Sequence, residues 1–141
     1  MVKQWLLEWL LKQSAKKKHV SEDYQVKSYL EKIPQYFDPS KVEPGRDLTI
    51  VYEFHDSGKN DGVWTVTVSD GTCRLTEGEA EHYDTKMYMT AETYRRLMTG
   101  QLELARLAYS TGAVRFYGNS LGHRELNYYL KFPKDSAIVV L

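Results

Sequence analysis

The sequence contains a single cysteine, Cys73, so one chain cannot form an internal disulfide bond, and this composition favours a reducing compartment. It also has no apolar run of the roughly 18 residues that a helix needs to cross a bilayer. No small-residue cleavage site follows the apolar stretch near the N-terminus, so a signal peptide is not expected. These absences predict a soluble, cytoplasmic protein, and 141 residues are enough for one sizeable core.

The chain also lacks net charge, because its 19 basic residues are balanced by 19 acidic ones. The balance is uneven, since residues 1–20 contain five lysines and one glutamate, which leaves the rest of the chain acidic. An acidic body is repelled by a phosphate backbone, so nucleic acid is not an expected partner.

Sequence signatures of catalysis are missing as well. We find no glycine-rich phosphate loop after a predicted strand, no nucleophile elbow and no zinc-ligand spacing. His82 and Asp84 would share one strand face, but two ligands are too few for a zinc site. We therefore expect no enzymatic activity, no catalytic residue, no metal and no cofactor.

The clearest structural signal is a β-hairpin at residues 63–78. Apolar and hydroxyl-bearing side chains alternate through residues 63–69, which predicts a strand with one buried face. Asp70-Gly71 follows, and this pair favours the type I′ turn because both positions need a positive φ. The apolar alternation then resumes on the returning strand. The residues predicted to face the core from this hairpin are Trp64, Val66, Val68, Cys73 and Leu75.

The remaining elements follow from the same kind of pattern. Alternation predicts further strands at residues 47–55, 83–89 and 113–117, and helical spacing predicts helices at 21–37, 90–100, 104–108 and 121–132. The predicted fold class is therefore α+β, with a five-stranded, mostly antiparallel sheet that has one face covered by helices. We expect this domain to span residues 21–141.

Residues 1–20 are predicted to form an additional amphipathic helix, at residues 3–13, followed by a basic linker. Its apolar arc is wide and includes Trp5, Leu6, Trp9 and Leu10. Such a helix packs on its own domain or joins two copies in a homodimer. Alternatively, the tryptophans and the lysines at 16–18 suit an anionic membrane surface.

The covered face is predicted to be bulky and apolar. The same residues describe either a solid core or the walls of a lipid cavity, because adaptable methionine and amphipathic tyrosine suit both. The candidate lipid-binding residues are Trp64, Met87, Met89, Met98, Leu104, Leu107, Phe116, Leu126, Tyr129 and Leu130.

Several short motifs stand in a characteristic order within residues 21–132. They are Ile33-Pro34, Phe37-Asp38-Pro39, Trp64 with Asp70-Gly71, Gly78 with Asp84, Gly100 with Leu102, Ala108, the spacing from Gly112 to Gly118, and the last helix up to Leu130. In order and spacing they resemble the sterol carrier protein 2 (SCP2) family. Asn119 departs from the aspartate that members often have after the glycine. The final Val-Val-Leu is not a peroxisomal signal.

The resemblance implies an apolar tunnel between sheet and helices that binds, and possibly transfers, a lipid such as a sterol, a fatty acid or a fatty acyl-CoA. It implies no catalytic residues. Two other interpretations stay open: a protein-interaction or dimerisation module whose cavity has closed, and an accessory domain of a lipid-metabolising system.

Overall fold

The computed structural model describes residues 25–98 and 111–131. The predicted N-terminal helix, the boundary at residue 20, the helix at 104–108 and the apolar tail at 137–141 lie outside these residues. The described elements are α1 (Val26–Gln35), β1 (Leu48–Phe54), β2 (Gly62–Ser69), β3 (Thr72–Glu77), β4 (Thr85–Met89), α2 (Ala91–Met98), β5 (Arg115–Gly118) and α3 (Gly122–Tyr128).

The five strands form one sheet in the order β3-β2-β1-β4-β5. All neighbouring pairs are antiparallel except β1 and β4, which are parallel. The predicted α+β class with a mostly antiparallel sheet is confirmed, and the parallel pair in its centre is an addition that strand patterns did not show. A parallel pair needs a connection that crosses the sheet.

The connection between β3 and β4 makes that crossing on the side of the sheet away from the helices. The Thr65 hydroxyl donates to the carbonyl of Gly78 at 2.7 Å and accepts from the amide of Ala80 at 3.1 Å. Thr65 and Val51 are buried, although both point away from the helices. The outer face of the sheet is therefore less exposed than the alternation predicts.

The predicted hairpin between β2 and β3 is confirmed. Asp70 and Gly71 both have positive φ, at 52° and 72°, and Ser69 pairs with Thr72 across the turn. The alternation holds along β2, where Val66 and Val68 are buried.

Trp64 and Cys73, predicted to be buried, are only half-buried. For Cys73 the reason is that β3 is an edge strand. Trp64 is paired with Glu77, the last residue of β3, so its ring lies at the end of this strand pair and is only partly covered. The predicted burial of these two side chains was wrong in degree.

The last helix ends earlier than predicted, at Tyr128 rather than 132. Phe37 and Leu130 form an isolated antiparallel bridge, the amide of Asp38 donates to the carbonyl of Tyr129 at 2.7 Å, and the amide of Lys131 donates to the carbonyl of Tyr36 at 2.9 Å. These bonds draw the chain away from helical geometry. They also fasten the segment after α3 to the segment after α1.

Candidate functional site

The face of the sheet under the helices, called the covered face below, consists of alternate residues that the strand registers place side by side. Ile50 pairs with Val66, Tyr52 with Trp64 and Met87, and Met87 with Phe116. Helices α1, α2 and α3 bury apolar side chains against it, and these form one continuous apolar core with the strands.

Most of the predicted lipid-binding residues meet in this core. Six are buried in it, namely Met87, Met89, Met98, Leu126, Tyr129 and Leu130. Phe116 and Trp64 are half-buried at its margin, while Leu104 and Leu107 lie outside the described residues.

Three aromatic rings fill the centre of the layer. Tyr94 of α2 contacts the rings of Tyr52 and Phe54 edge-on, with centroids 5.5 Å apart in both pairs. Offset and edge-on packing of this kind is the favoured arrangement of aromatic side chains. The sequence pattern placed Tyr52 and Phe54 on the covered face and Tyr94 on the inner stripe of its helix, and both assignments are confirmed.

A buried polar cluster of Tyr52, His123 and Asn127 lies within the apolar layer. The Tyr52 hydroxyl is 3.4 Å from His123 Nδ1, and Asn127 Nδ2 is 3.2 Å from His123 Nε2. Burial disfavours the imidazolium and lowers the pKa of His123 to about 4, so the ring is neutral at pH 7. Burial also raises the pKa of Tyr52.

Sequence reasoning missed this cluster. A signal was present in the spacing, because His123 and Asn127 lie four residues apart, with Leu126 and Leu130 on the same side of α3. That spacing places a histidine and an asparagine among core positions.

A second polar contact orients Tyr129. Arg46 donates two hydrogen bonds to the carboxylate of Glu125, each 2.6 Å long, and the Tyr129 hydroxyl donates to Glu125 Oε2 at 2.6 Å. The hydrogen bond from Arg46 is the main reason that the pKa of Glu125 is lowered. This contact ties α3 to the loop before β1 and holds the ring of Tyr129 against the core.

The surface pockets near this layer are polar. Trp64 lines one of about 230 Å³ together with Lys27, Asp61 and Glu77, and Lys27 Nζ lies 5.9 Å from the centre of its ring. Another, of about 370 Å³, lies beyond the far end of β1 and β4. Neither is lined by the methionines of the covered face.

Three residues or groups that could suggest chemistry have structural explanations. The Asp84 carboxylate accepts from the backbone amide of Thr49 at 2.8 Å, while His82 is exposed. Burial raises the pKa of the Cys73 thiol to about 11, so it is not a thiolate at pH 7. Over residues 25–98 and 111–131, no group of three metal-ligating side chains is found, and no helix is long and apolar enough to cross a membrane.

Comparison with known proteins shows which solved structures have a similar fold. No family model and no curated protein matches this sequence. Among solved structures, sterol carrier protein 2 like 2 from Aedes aegypti superposes with a TM-score of 0.53 at 13% identity, covering 72% of this chain and 92% of that one. The sterol carrier protein domain 2 of Helicoverpa armigera gives 0.52 at 20% identity, covering 72% and 81%. The fold is SCP2-like.

Part of a stereoselective inverting sec-alkylsulfatase from Pseudomonas sp. has a fold similar to that of this chain. It gives a TM-score of 0.64 at 19% identity and is matched by 74% of this chain, which spans only 16% of the sulfatase. These superpositions establish the fold. Because the sequence identities are 20% or lower, they do not identify the ligand.

Proposed function

We propose that this chain binds a lipid, such as a sterol, a fatty acid or a fatty acyl-CoA, between the sheet and the helices, and that it transfers the lipid without changing it chemically. The observation that carries the proposal is the apolar layer of an SCP2-like fold, lined from both sides by methionine. Met87 and Met89 project from β4, and Met98 is buried at the end of α2.

Methionine suits an interior that must open for a ligand. Its unbranched side chain has three rotatable bonds, so it repacks at low cost when a guest enters. Each methylene that leaves water contributes about 0.8 kcal/mol, so a chain of ordinary acyl length offsets the cost of association. Binding of this kind needs no charged partner at its centre, which agrees with the neutral state of His123.

We place the entrance of the layer at the β5 edge of the sheet. There Phe116 is the cross-strand partner of Met87, yet it is half-buried whereas Met87 is fully buried. Apolar surface on the covered face therefore continues outward to this edge, where a lipid chain would first meet it.

Replacing Phe116 with Trp is expected to weaken lipid binding. The larger ring occupies space that the ligand would use, and we expect a loss of about tenfold in affinity, or 1.4 kcal/mol. Titration with a fluorescent fatty acid, in solution and without vesicles, measures the change.

Tyr117→Trp is the matched control, since it adds the same ring to the same strand but on the opposite face. It should bind the fatty acid as the wild-type protein does. Equal affinities for Phe116→Trp, Tyr117→Trp and wild type, at similar melting temperatures, would place the ligand elsewhere or show that none binds.

The absence of covalent chemistry is part of the proposal. The Cys73 thiol is protonated at pH 7, and the His123 ring is buried in contact with Tyr52 and Asn127. Neither is therefore in a state or place to attack a substrate in solution.

A second candidate, an accessory domain of a lipid-metabolising enzyme, is favoured by the sec-alkylsulfatase likeness. Its TM-score of 0.64 exceeds the 0.53 and 0.52 of the two sterol carrier domains, and the matched part is a small fraction of a large enzyme. In that role the domain would hold an apolar substrate for a catalytic partner.

Native mass spectrometry of the purified chain distinguishes a lipid-binding domain from an interaction module. A monomer whose mass is raised by one lipid is the result expected for a carrier, and an accessory domain that holds an apolar substrate would give the same result. A ligand-free dimer would favour an interaction module.

A further inference from the structure

The pocket of about 370 Å³ lies where the two parallel strands of the sheet end. Phe54 of β1 pairs with Met89 of β4, so the residues that follow them, His55 and Thr90, reach the same end of the sheet. The amide of His55 donates to the carbonyl of Met89 at 3.2 Å and joins the two strand ends. Pockets that hold small molecules begin at about 300 Å³, so this one is large enough for a ligand group.

Two stacked aromatic rings form one wall of the pocket. The rings of His55 and Tyr88 lie nearly parallel, at 13°, with their centroids 4.0 Å apart. The carboxylate of Asp56 contacts His55 Nδ1 at 3.0 Å and fixes the orientation of the imidazole. This wall is therefore formed before any ligand arrives.

Arg115 adds an unpaired cation to the pocket. It is exposed, it lines the pocket, and it is the cross-strand partner of Tyr88. Over the residues that the structure describes, Arg115 forms no ion pair. On the opposite wall the Thr90 hydroxyl donates to Thr93 Oγ1 at 3.0 Å, which leaves the Thr93 hydroxyl proton to donate elsewhere. A guanidinium and a hydroxyl are both donors, and together they suit the oxygens of an anion.

The carboxylates around the pocket are mostly occupied. Three on neighbouring elements already have partners: Glu53 pairs with Lys86, Asp61 accepts from the amide of Ser57, and Glu92 pairs with Arg95. Among the described lining residues, Asp56 is the only carboxylate, and its side chain is 88% exposed. Water screens an exposed charge, so Asp56 weakens the attraction of Arg115 for an anion without cancelling it.

The pocket adjoins the apolar layer. Ala113 lines the pocket and also packs against the apolar core. Arg115 directly precedes Phe116, the half-buried residue at the proposed entrance. A lipid chain that enters the layer at Phe116 would therefore leave its polar head beside Arg115.

We propose that this pocket, called the Arg115 pocket below, binds the carboxylate of a fatty acid whose chain lies in the apolar layer. The inference rests on the proposed function, because it assigns the head of the same ligand. A free carboxyl group is ionised at pH 7, and a guanidinium binds it with two parallel hydrogen bonds. The hydroxyl of a sterol or fatty alcohol carries no charge, so the protein would select acidic lipids over neutral ones.

Competition at pH 7 against a fluorescent fatty alcohol tests this selection. We expect the wild-type chain to bind a fatty acid about tenfold more tightly than the alcohol of the same chain length, since hydrogen bonds to charged groups are the stronger ones. Arg115→Gln should remove this preference by weakening binding of the acid alone. Arg115→Lys keeps the charge but loses the two-donor geometry, so it should retain part of the preference.

Two further variants serve as controls. Asp56→Asn removes the opposing charge and should strengthen binding of the acid severalfold, with no change for the alcohol. Asparagine tolerates the φ of 52° at this position, so the loop should keep its conformation. Arg74→Gln removes an exposed cation from the same face of the sheet at its opposite edge, and it should match the wild type.

The Arg115 pocket would be ruled out as the head site by equal affinities of the wild-type chain for acid and alcohol. An unchanged preference in Arg115→Gln, or an equal loss in Arg74→Gln, would rule it out as well. In each of these cases lipid binding itself still stands. Failure of the wild-type chain to bind the reporter or either lipid would instead contradict the proposed function, and with it the head site.

Titration with inorganic phosphate tests the other source of an anionic group. We expect no binding at micromolar concentrations, because phosphate has no chain to place in the apolar layer. Micromolar binding that Arg115→Gln abolishes would show that the pocket takes a free anion, and would overturn its assignment to a lipid head.

Discussion

Acidification from about pH 7 to about pH 5 is expected to lower the free energy of unfolding by about 2 kcal/mol through the protonation of His123. The ring lies between β1 and α3, in contact with Tyr52 and Asn127, and it is 1% exposed. Burial is the main reason that its pKa falls from 6.5 to about 4, and the charge of Arg124 adds a smaller effect in the same direction.

Acidification lowers the stability because the pKa of His123 is higher in the unfolded chain than in the folded protein. The unfolded chain takes up the proton near pH 6.5, whereas the folded protein does so only near pH 4. The stability contributed by the neutral ring is therefore present above pH 6.5 and is lost as the pH falls towards 4. Urea unfolding at a series of pH values measures this loss.

The variant His123→Gln, which cannot titrate, serves as the control. Its stability should be nearly constant from about pH 7 to about pH 5, whatever its absolute value. Glu92 and Glu125 do not interfere in this interval, because hydrogen bonds from Arg95 and Arg46 lower their pKa values below 4.5. A wild-type protein whose stability did not fall in the same interval would show that His123 is not buried in a neutral state.

Substitution of Gly122 by Ala is expected to destabilise the fold by roughly 3 kcal/mol, because it forces the start of α3 away from the sheet. A Cβ at Gly122 would come within 2.1 Å of Thr85 Oγ1 and 3.0 Å of Thr85 Cβ. Thr85 is buried and branched, and its hydroxyl donates to the carbonyl of Asn119, so turning the side chain aside would break that hydrogen bond. The measurement is the urea midpoint at an unchanged slope.

A double-mutant cycle shows whether the clash is the cause. Thr85→Ala removes Oγ1, the atom that the new Cβ would approach to 2.1 Å, and leaves only the contact with Cβ at 3.0 Å, so the cost of Gly122→Ala should be smaller in that background. Arg124→Ala, at an exposed site in the same helix, should change stability by less than about 0.5 kcal/mol. An equal cost of Gly122→Ala with and without Thr85 would mean that the helix already stands clear of the strand.

Local chemistry decided much of what the sequence predicted correctly. The turn at Asp70-Gly71 depends on the backbone freedom of two adjacent residues, and the strand alternation depends on a period of two. Thr90 accepts a hydrogen bond from the amide of Thr93 at 3.1 Å and so begins α2, which is also a contact within a few residues. The apolar character of the covered face followed from the same short-range patterns.

Tertiary structure decided the features that depend on distant partners. The amide of Val26, at the start of α1, donates a hydrogen bond of 2.8 Å to the side-chain oxygen of Asn60. No local sequence pattern predicts a partner that lies 34 residues away. The parallel pairing of β1 with β4, and the bridge between Phe37 and Leu130 that ends the last helix early, arise in the same way.

The same distinction between local pattern and tertiary structure applies to the candidate site. Residue type and spacing were sufficient to select Met87, Met89 and Met98, because bulky apolar side chains on a covered face are buried wherever the strands pair. The neutral state of His123 could not be predicted from residue type, because burial shifts a pKa only once the surrounding elements have excluded water. The sequence alone therefore determined which side chains form the apolar layer, whereas packing between sheet and helices decided which of them are sealed from solvent.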